Sequence, residues 1–147
     1  MSNYLPTRPE IMSAFASGRN CAQCCLAHWA DELGYDAEEL DRIAACFGGG
    51  MFRGDTCGAV TGSLMALGMA FGGSGDEESN RVCHEKVHEF QTRFAERFGS
   101  LECRCLLGLD VSIPEEREKA FASGVMNDIC PGLVIGAMEI TADLMEE

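Results

Sequence analysis

The sequence has no long apolar run and few basic residues. No stretch of about 18 consecutive apolar residues occurs, so we expect no transmembrane helix. Only 11 Lys and Arg residues stand against 24 Asp and Glu residues, which gives a formal net charge of −13. This charge would repel the phosphates of nucleic acid and of anionic membranes. The composition therefore predicts a chain that binds neither nucleic acid nor a membrane.

Strand signals and a leader sequence are missing too. No segment alternates apolar and polar residues as a half-buried β-strand would. The N-terminal stretch MSNYLPTRPE lacks the apolar core of a signal peptide, so we expect the protein in the cytoplasm. Apolar residues recur at helical spacing between Gly and Pro. This pattern predicts one all-α domain over residues 1–147, a helical bundle of about six or seven helices.

Cysteine is the residue that the sequence has in excess. There are nine cysteines, and because nine is odd they cannot all pair within the chain. In a reducing cytoplasm, thiols serve in catalysis, redox sensing or metal binding more often than in structural disulfides. Free cysteine is also among the most buried residue types, so simple packing is an alternative explanation.

The stretch RNCAQCCLAHW, residues 19–29, carries three of the cysteines on one predicted helix. Asn20 and Gln23 form a capping-box pattern at its start, and the helix is predicted to run to about Leu33.

The cysteines of this helix lie apart from its apolar face. At about 100° per residue, the apolar face consists of Ala22, Leu26, Trp29, Ala30 and Leu33. Cys21, Cys24 and His28 fall together on the neighbouring flank. Their separation from the apolar face makes them candidates for chemistry.

Cysteines are also predicted at three helix starts. Cys21 follows the cap of its helix, Cys57 begins the fourth predicted helix, and Cys130 is expected to open the last one. A thiol at a helix N-terminus lies near the positive end of the macrodipole and near free N–H groups, and both stabilise the nucleophilic thiolate. Cys103 and Cys105, in a short segment between helices, are further candidates.

Packing explains several other small residues. Gly54, Gly58 and Gly62 recur every four residues, and we expect them to admit a second helix at close range rather than to form a ligand site. Cys46 and Cys83 have apolar neighbours in the predicted helices, and we expect both in the core.

Motifs in the order of the chain carry a resemblance to a known family. The pieces are NCAQ at 20–23, FGGGM at 47–51, GDTCGAVTGSLMALG at 54–68, FGSLECRCLLG at 98–108, and Cys130. Together they span nearly the whole chain. They resemble the C_GCAxxG_C_C family, which is labelled by its cysteine pattern and to which a redox activity is ascribed.

The resemblance implies an all-helical fold and a shared set of four cysteines, carried here by Cys21, Cys57, Cys103 and Cys130. One departure is that residues 57 and 58 have the order Cys-Gly, the reverse of that in the family label. The fold is also associated with certain multi-haem cytochromes. Covalent haem attachment needs C-x-x-C-H, which this sequence lacks, so covalent haem is not expected.

The segment HEKVH, residues 84–88, matches the H-E-x-x-H pattern of zinc proteases. On a helix, His84 and His88 would share a face, and Glu85 could activate a zinc-bound water. A catalytic zinc needs a third ligand, and His28 is the remaining histidine. We expect a solvated helix flank here, with metal binding at the histidine pair as the alternative.

Three functions remain open at this point. The first is a thiol redox protein in which one thiolate attacks a disulfide or oxidant and a second cysteine resolves the intermediate. Its partner would be a redox protein or a small-molecule oxidant. The candidate catalytic residues are Cys21, Cys24, Cys57, Cys103 and Cys130. The second is a zinc or iron–sulfur site, and the third is a helical scaffold without enzymatic activity; a homo-oligomer is compatible with each. The candidate metal ligands are Cys21, Cys57, Cys103, Cys130, Cys105 and His28.

The three functions differ in where they place the sulfurs. A redox protein needs at least two of the four family cysteines within disulfide reach, with Cα atoms less than about 7 Å apart. A metal site needs three or four sulfurs converging on one point. A scaffold predicts sulfurs dispersed through the core.

Overall fold

The computed structural model describes residues 4–147 and consists of helices packed around a common core. These residues contain no β-strand; one isolated antiparallel bridge joins Thr56 to Glu102. The helices are α1 (Arg8–Ala16), α2 (Cys21–Ala27), α3 (Ala30–Leu33), α4 (Ala37–Ala44), α5 (Gly58–Phe71), α6 (Glu77–Phe98), α7 (Cys103–Leu107), α8 (Pro114–Ser123) and α9 (Val125–Glu146). The predicted all-α class is confirmed.

The structure has more helical elements than predicted. A π-type turn at Gly50–Gly54 joins the nine α-helices, so ten elements lie in the described part of the chain, against an expected six or seven. One cause is the second predicted helix, which is interrupted at Trp29. The N–H of Trp29 donates to the carbonyl of Leu26 at 3.3 Å, three residues back, and this tight turn separates α2 from α3.

The start of α2 is the capping box that the sequence predicts. The Asn20 side-chain oxygen accepts from the N–H of Gln23 at 2.9 Å, and the Gln23 side-chain oxygen accepts from the N–H of Asn20 at 2.8 Å. Both bonds satisfy amides that the first turn leaves unpaired. They hold Cys21 as the first residue of the helix.

The two predicted faces of α2 pack in different parts of the core. Ala22, Leu26 and Trp29 join one apolar cluster with residues of α4 and α5. Cys24 and Cys25 join the larger cluster instead, together with residues of α5, α6 and α9. The separation of the cysteine face from the apolar face is confirmed, although both faces are buried.

Glycines of α5 let α2 approach at backbone distance. A Cβ added at Gly62 would lie 2.5 Å from the carbonyl oxygen of Ala22 and 2.9 Å from its Cα. A Cβ at Gly58 would lie 3.0 Å from the Ala22 nitrogen and 3.2 Å from the Cβ of Cys21. The expectation of close helix packing is confirmed at Gly58 and Gly62, and the contact sets the position of Cys21. It is wrong at Gly54, which ends the turn before α5 at a φ of 70° and lies against the side chains of Asp110 and Arg104.

The predicted start of α9 at Cys130 is wrong. The helix begins at Val125, so Pro131 lies inside it. Proline has no N–H, and the carbonyl of Asn127, four residues earlier, loses its helical donor. Arg8 compensates, because its Nη2 donates to the carbonyls of Asn127 at 2.9 Å and Asp128 at 2.7 Å.

By length and composition alone, α9 is apolar enough to cross a membrane, and half of that apolar stretch is buried inside the protein. The core helix of a soluble protein meets the same criterion, so the helix does not decide between the two environments.

The loop before α5 turns in the left-handed sense. Met51 and Phe52 have φ values of 60° and 56°, and Gly49 and Gly50 have 56° and 63°. For a residue with a side chain, this conformation costs about 1–2 kcal/mol. Phe52 also leaves 63% of its surface exposed. Backbone strain and an exposed aromatic side chain therefore coincide at Phe52, directly after the FGGGM segment.

Candidate functional site

Four cysteines from four separate segments line one small, largely enclosed cavity of about 30 Å³. They are Cys21 in α2, Cys57 before α5, Cys103 in α7 and Cys130 in α9. The last three are only 4–7% exposed. A cavity of this size holds about one water molecule, so the sulfurs lie close to one another and away from bulk solvent.

Backbone hydrogen bonds hold Cys57 and Cys103 side by side. The N–H of Cys57 donates to the carbonyl of Leu101 at 2.8 Å, and the N–H of Cys103 donates to the carbonyl of Asp55 at 2.7 Å. These reciprocal bonds flank the bridge described above, and each cysteine directly follows a bridge residue. Two segments that are distant in sequence are thereby joined at their cysteines.

Cys21 and Cys130 interact at the cavity, and each is the largest cause of the pKa shift of the other. Hydrogen bonding from the Cys21 thiol lowers the pKa of Cys130, although burial opposes this effect. The same contact with Cys130, followed by burial, raises the pKa of Cys21 well above its usual range. The two thiols therefore titrate as an interacting pair, in which the proton on one sulfur favours the thiolate on the other.

Burial outweighs the helix ends at Cys57 and Cys103. The pKa of Cys57 is raised to about 11 by burial, although the N–H groups of Ala59 and Val60 lower it in part. These amides lie near the sulfur without forming a regular capping hydrogen bond. Burial and then the neighbouring Cys57 raise the pKa of Cys103 to about 12. At Cys57 the helix start stabilises the thiolate only in part, because desolvation disfavours the charged form more strongly.

The cysteines at helix starts also differ from the prediction. Cys21 and Cys103 are first residues of helices, and Cys57 is an N-cap. Cys130 lies in the second turn of α9, so the lowered pKa there comes from Cys21 and not from a helix end.

Three other candidates lie outside this cavity. Cys24 is buried and faces a separate, open cleft that His28 also lines. The His28 ring packs edge-on against Trp29 at 4.7 Å, and burial lowers its pKa. Cys105 is exposed, and its sulfur lies 3.5 Å from a carboxylate oxygen of Glu102.

Two expected core cysteines have different surroundings. Cys46 is exposed, so its assignment to the core is wrong, because it lies in the surface turn that follows the end of α4 at Ala44. Cys83 is only partly buried, whereas Phe90 and Phe94 on the same helix are fully buried.

The HEKVH segment is a solvated helix flank, as expected. His84 and His88 are both exposed on α6. The carboxylate of Glu85 accepts a hydrogen bond from Arg81 at 2.8 Å, which engages the group that would have to activate water.

Metal binding finds no matching geometry in residues 4–147. In this part of the chain, no three His, Cys, Asp or Glu side chains are arranged so that they could hold one metal ion. The four sulfurs share a cavity without the convergence on one point that a zinc or iron–sulfur site requires.

Two glycines of the FGGGM segment belong to the site, although sequence reasoning did not include them among the site residues. Gly49 and Gly50 line the cavity. A Cβ at Gly50 would lie 2.5 Å from backbone atoms of Asp55, so only glycine fits there. The signal that could have identified them was the triple glycine next to Met51.

The comparisons with known proteins give one match. A family model described as "Putative redox-active protein (C_GCAxxG_C_C)" matches residues 19–144, most of the chain. No curated protein and no solved structure matches the sequence.

Proposed function

We propose, since the chain belongs to the C_GCAxxG_C_C family, that it is a thiol redox protein whose Cys21 and Cys130 cycle between dithiol and disulfide. The observation that carries this proposal is the meeting of Cys21 and Cys130, from two segments far apart in the chain, in one small cavity with Cys57 and Cys103. The two thiols lie close enough there for each to shift the pKa of the other.

The chemistry is a two-electron exchange. The Cys130 thiolate attacks one sulfur of a disulfide R–S–S–R, forms a mixed disulfide and releases RS⁻, which takes up a proton. Cys21 then loses its proton and attacks the Cys130 sulfur, so that the Cys21–Cys130 disulfide forms and a second RSH leaves. Two protein thiols are oxidised and one disulfide is reduced to two thiols.

The lowered pKa of Cys130 suits this role in both directions. A larger thiolate fraction supports its attack on a disulfide, and a thiol of low pKa leaves more readily when the Cys21–Cys130 bond is reduced. Cys57 and Cys103 line the same cavity. Either thiol could therefore attack a sulfur of the Cys21–Cys130 disulfide and form a new disulfide with it.

Disulfide mapping tests the proposal. The reduced protein is treated with one equivalent of diamide, quenched with acid, alkylated and digested, and linked peptides are identified by mass spectrometry. We expect a Cys21–Cys130 link that dithiothreitol removes. Cys130→Ser should abolish this link, whereas Cys83→Ser, outside the cavity, should leave it unchanged.

Two results would count against the proposal. One is a folded protein in which no link forms between any two of the four cavity cysteines. The other is stoichiometric iron or zinc in anaerobically purified protein that is lost with Cys130→Ser, which would support the metal function.

A further inference from the structure

A second cleft, separate from the four-cysteine cavity, is bordered by α1, α2, α4 and α9 and has a volume of about 510 Å³. This is the size of a small-molecule site. Cys24 lines the cleft and is only 4% exposed, so we expect a reagent to reach this sulfur through the cleft.

The cleft and the enclosed cavity are connected through the first turn of α2. Cys24 follows Cys21 by three residues in the same helix, a spacing that places their Cα atoms about 5 Å apart. That separation is within disulfide reach. Cys25, between the two sites, is close enough to both Cys24 and Cys57 for their charges to raise its pKa, after burial. One helical turn thus carries a sulfur facing each site.

The charges of the cleft favour a ligand that carries an ammonium group. Arg19 is the cation among the lining residues, and its Nη2 is already paired with Asp41 at 2.8 Å. Burial lowers the pKa of His28, so its ring is neutral near pH 7. The carboxylate of Glu10 accepts hydrogen bonds from the neutral groups of Tyr4 and Thr7 and keeps its negative charge. The lining is therefore net negative, in a chain that is itself acidic.

We propose that this cleft binds a small, ammonium-bearing disulfide and that Cys24 exchanges with its sulfur. The inference rests on the proposed redox function and names its substrate class, with Cys24 in place of Cys130 as the thiol that first meets this substrate. A folded protein partner would not reach a sulfur that is only 4% exposed within the cleft, and a polyanionic disulfide would be repelled by the lining.

The exchange balances in two steps. The Cys24 thiolate attacks R–S–S–R, forms a Cys24–S–S–R bond and releases RS⁻, which is protonated. The Cys21 sulfur, after losing its proton, attacks Cys24, forms Cys21–Cys24 and releases the second RSH. Cys130 then displaces Cys24 from Cys21, which restores the Cys24 thiol and leaves the enclosed Cys21–Cys130 disulfide.

Three alkyl disulfides of similar size test the charge preference. Cystamine carries two ammonium groups, hydroxyethyl disulfide is neutral, and dithiodipropionate carries two carboxylates. The background is Cys46→Ser with Cys105→Ser, which removes two exposed thiols outside both sites. We expect a mixed disulfide at Cys24, identified by mass spectrometry, that forms fastest with cystamine and slowest with dithiodipropionate.

Matched variants separate the cleft from intrinsic reactivity. In a second protein, which carries Cys24→Ser and keeps Cys46, the reaction of the exposed Cys46 thiol gives the cystamine-to-dithiodipropionate rate ratio expected without a cleft. The cystamine-to-dithiodipropionate rate ratio at Cys24 should exceed the ratio at Cys46. Asp41→Asn removes a negative charge from the cleft and should reduce the ratio at Cys24 by about two- to five-fold. Glu118→Gln, the same loss of charge on exposed α8, should have no effect. Cys24→Ala checks any folding defect of the serine variant.

The outcomes distinguish this inference from the proposed function. If diamide forms Cys21–Cys130 but no small disulfide labels Cys24, or the charge ratio equals that of Cys46, the cleft assignment is overturned and the redox function stands. If Cys24 is labelled with the expected preference but Cys21–Cys130 never forms, the redox function fails and the cleft assignment stands.

Discussion

Cys21, the first residue of α2, and Cys130, inside α9, meet at one small cavity although 109 positions of the chain separate them. The neighbouring Cys21 lowers the pKa of Cys130 in a setting where burial raises the pKa of Cys57 and Cys103. A thiolate at Cys130 is thus favoured by a neighbouring thiol and not by a helix dipole.

The first prediction concerns the ionisation of Cys130. Removing the Cys21 donor with Cys21→Ala should raise the pKa of Cys130, so that its half-maximal alkylation by iodoacetamide moves to higher pH. Below that pKa, the rate at a fixed pH should fall. Mass spectrometry of the Cys130 peptide across a pH series measures the shift. An unchanged profile would show that Cys21 does not stabilise the Cys130 thiolate.

The second prediction concerns the contact between α2 and α5. Gly62→Ala places a methyl group 2.5 Å from the Ala22 carbonyl oxygen, so α2 must move away. We expect a loss of about 1–3 kcal/mol in the free energy of unfolding and a lower yield of the Cys21–Cys130 disulfide. Gly68→Ala, on the same helix with open space at its Cα, should be stabilising by about 0.5–1 kcal/mol. Equal effects of both changes in urea unfolding would contradict the packing argument.

The third prediction concerns the left-handed loop. Phe52→Gly should raise the free energy of unfolding by about 1 kcal/mol, because glycine adopts φ near 56° without the Cβ penalty. The lost side chain is mostly exposed and contributes little burial. Phe121 is about as exposed but lies inside α8, so Phe121→Gly should lower the free energy of unfolding. Urea unfolding of the two variants checks both signs, and a destabilising Phe52→Gly would mean that the aromatic ring has a packing role.

The fourth prediction concerns stability at high pH. Cys57 and Cys103 ionise near pH 11 and 12 in the folded state but near about 8.5 when unfolded. Above about pH 8.5 the unfolded state binds fewer protons than the folded state, so stability falls with rising pH. The slope is about 1.4 kcal/mol per pH unit for each thiol until its folded pKa is reached.

Cys103→Ser should reduce that slope by one thiol's share between about pH 9 and 11. Cys46→Ser, at an exposed position, is the matched control and should leave the slope unchanged. Urea unfolding at several pH values measures it. Parallel curves for wild type and Cys103→Ser would mean that the Cys103 thiol ionises in the folded protein as it does in the unfolded chain.

Much of the local structure was predictable because its causes are local. The capping box at Asn20 and Gln23 and the separation of cysteines from the apolar face of α2 follow from residue spacing along one helix. The start of α9 did not follow from local signals. Pro131 is an ordinary helix-start signal, yet the helix begins six residues before it. The reason lies in the distant Arg8, which donates hydrogen bonds to the carbonyls of the turn before the proline.

The sequence by itself determined the helical class and the family, since periodicity and motif spacing are properties of neighbouring residues. Only the tertiary structure decided that Cys21, Cys57, Cys103 and Cys130 line one cavity, that burial raises the pKa of Cys57 and Cys103, and that Cys24 faces a different site from Cys21. Those properties depend on desolvation and on contacts between segments far apart in the chain, and no local pattern encodes either.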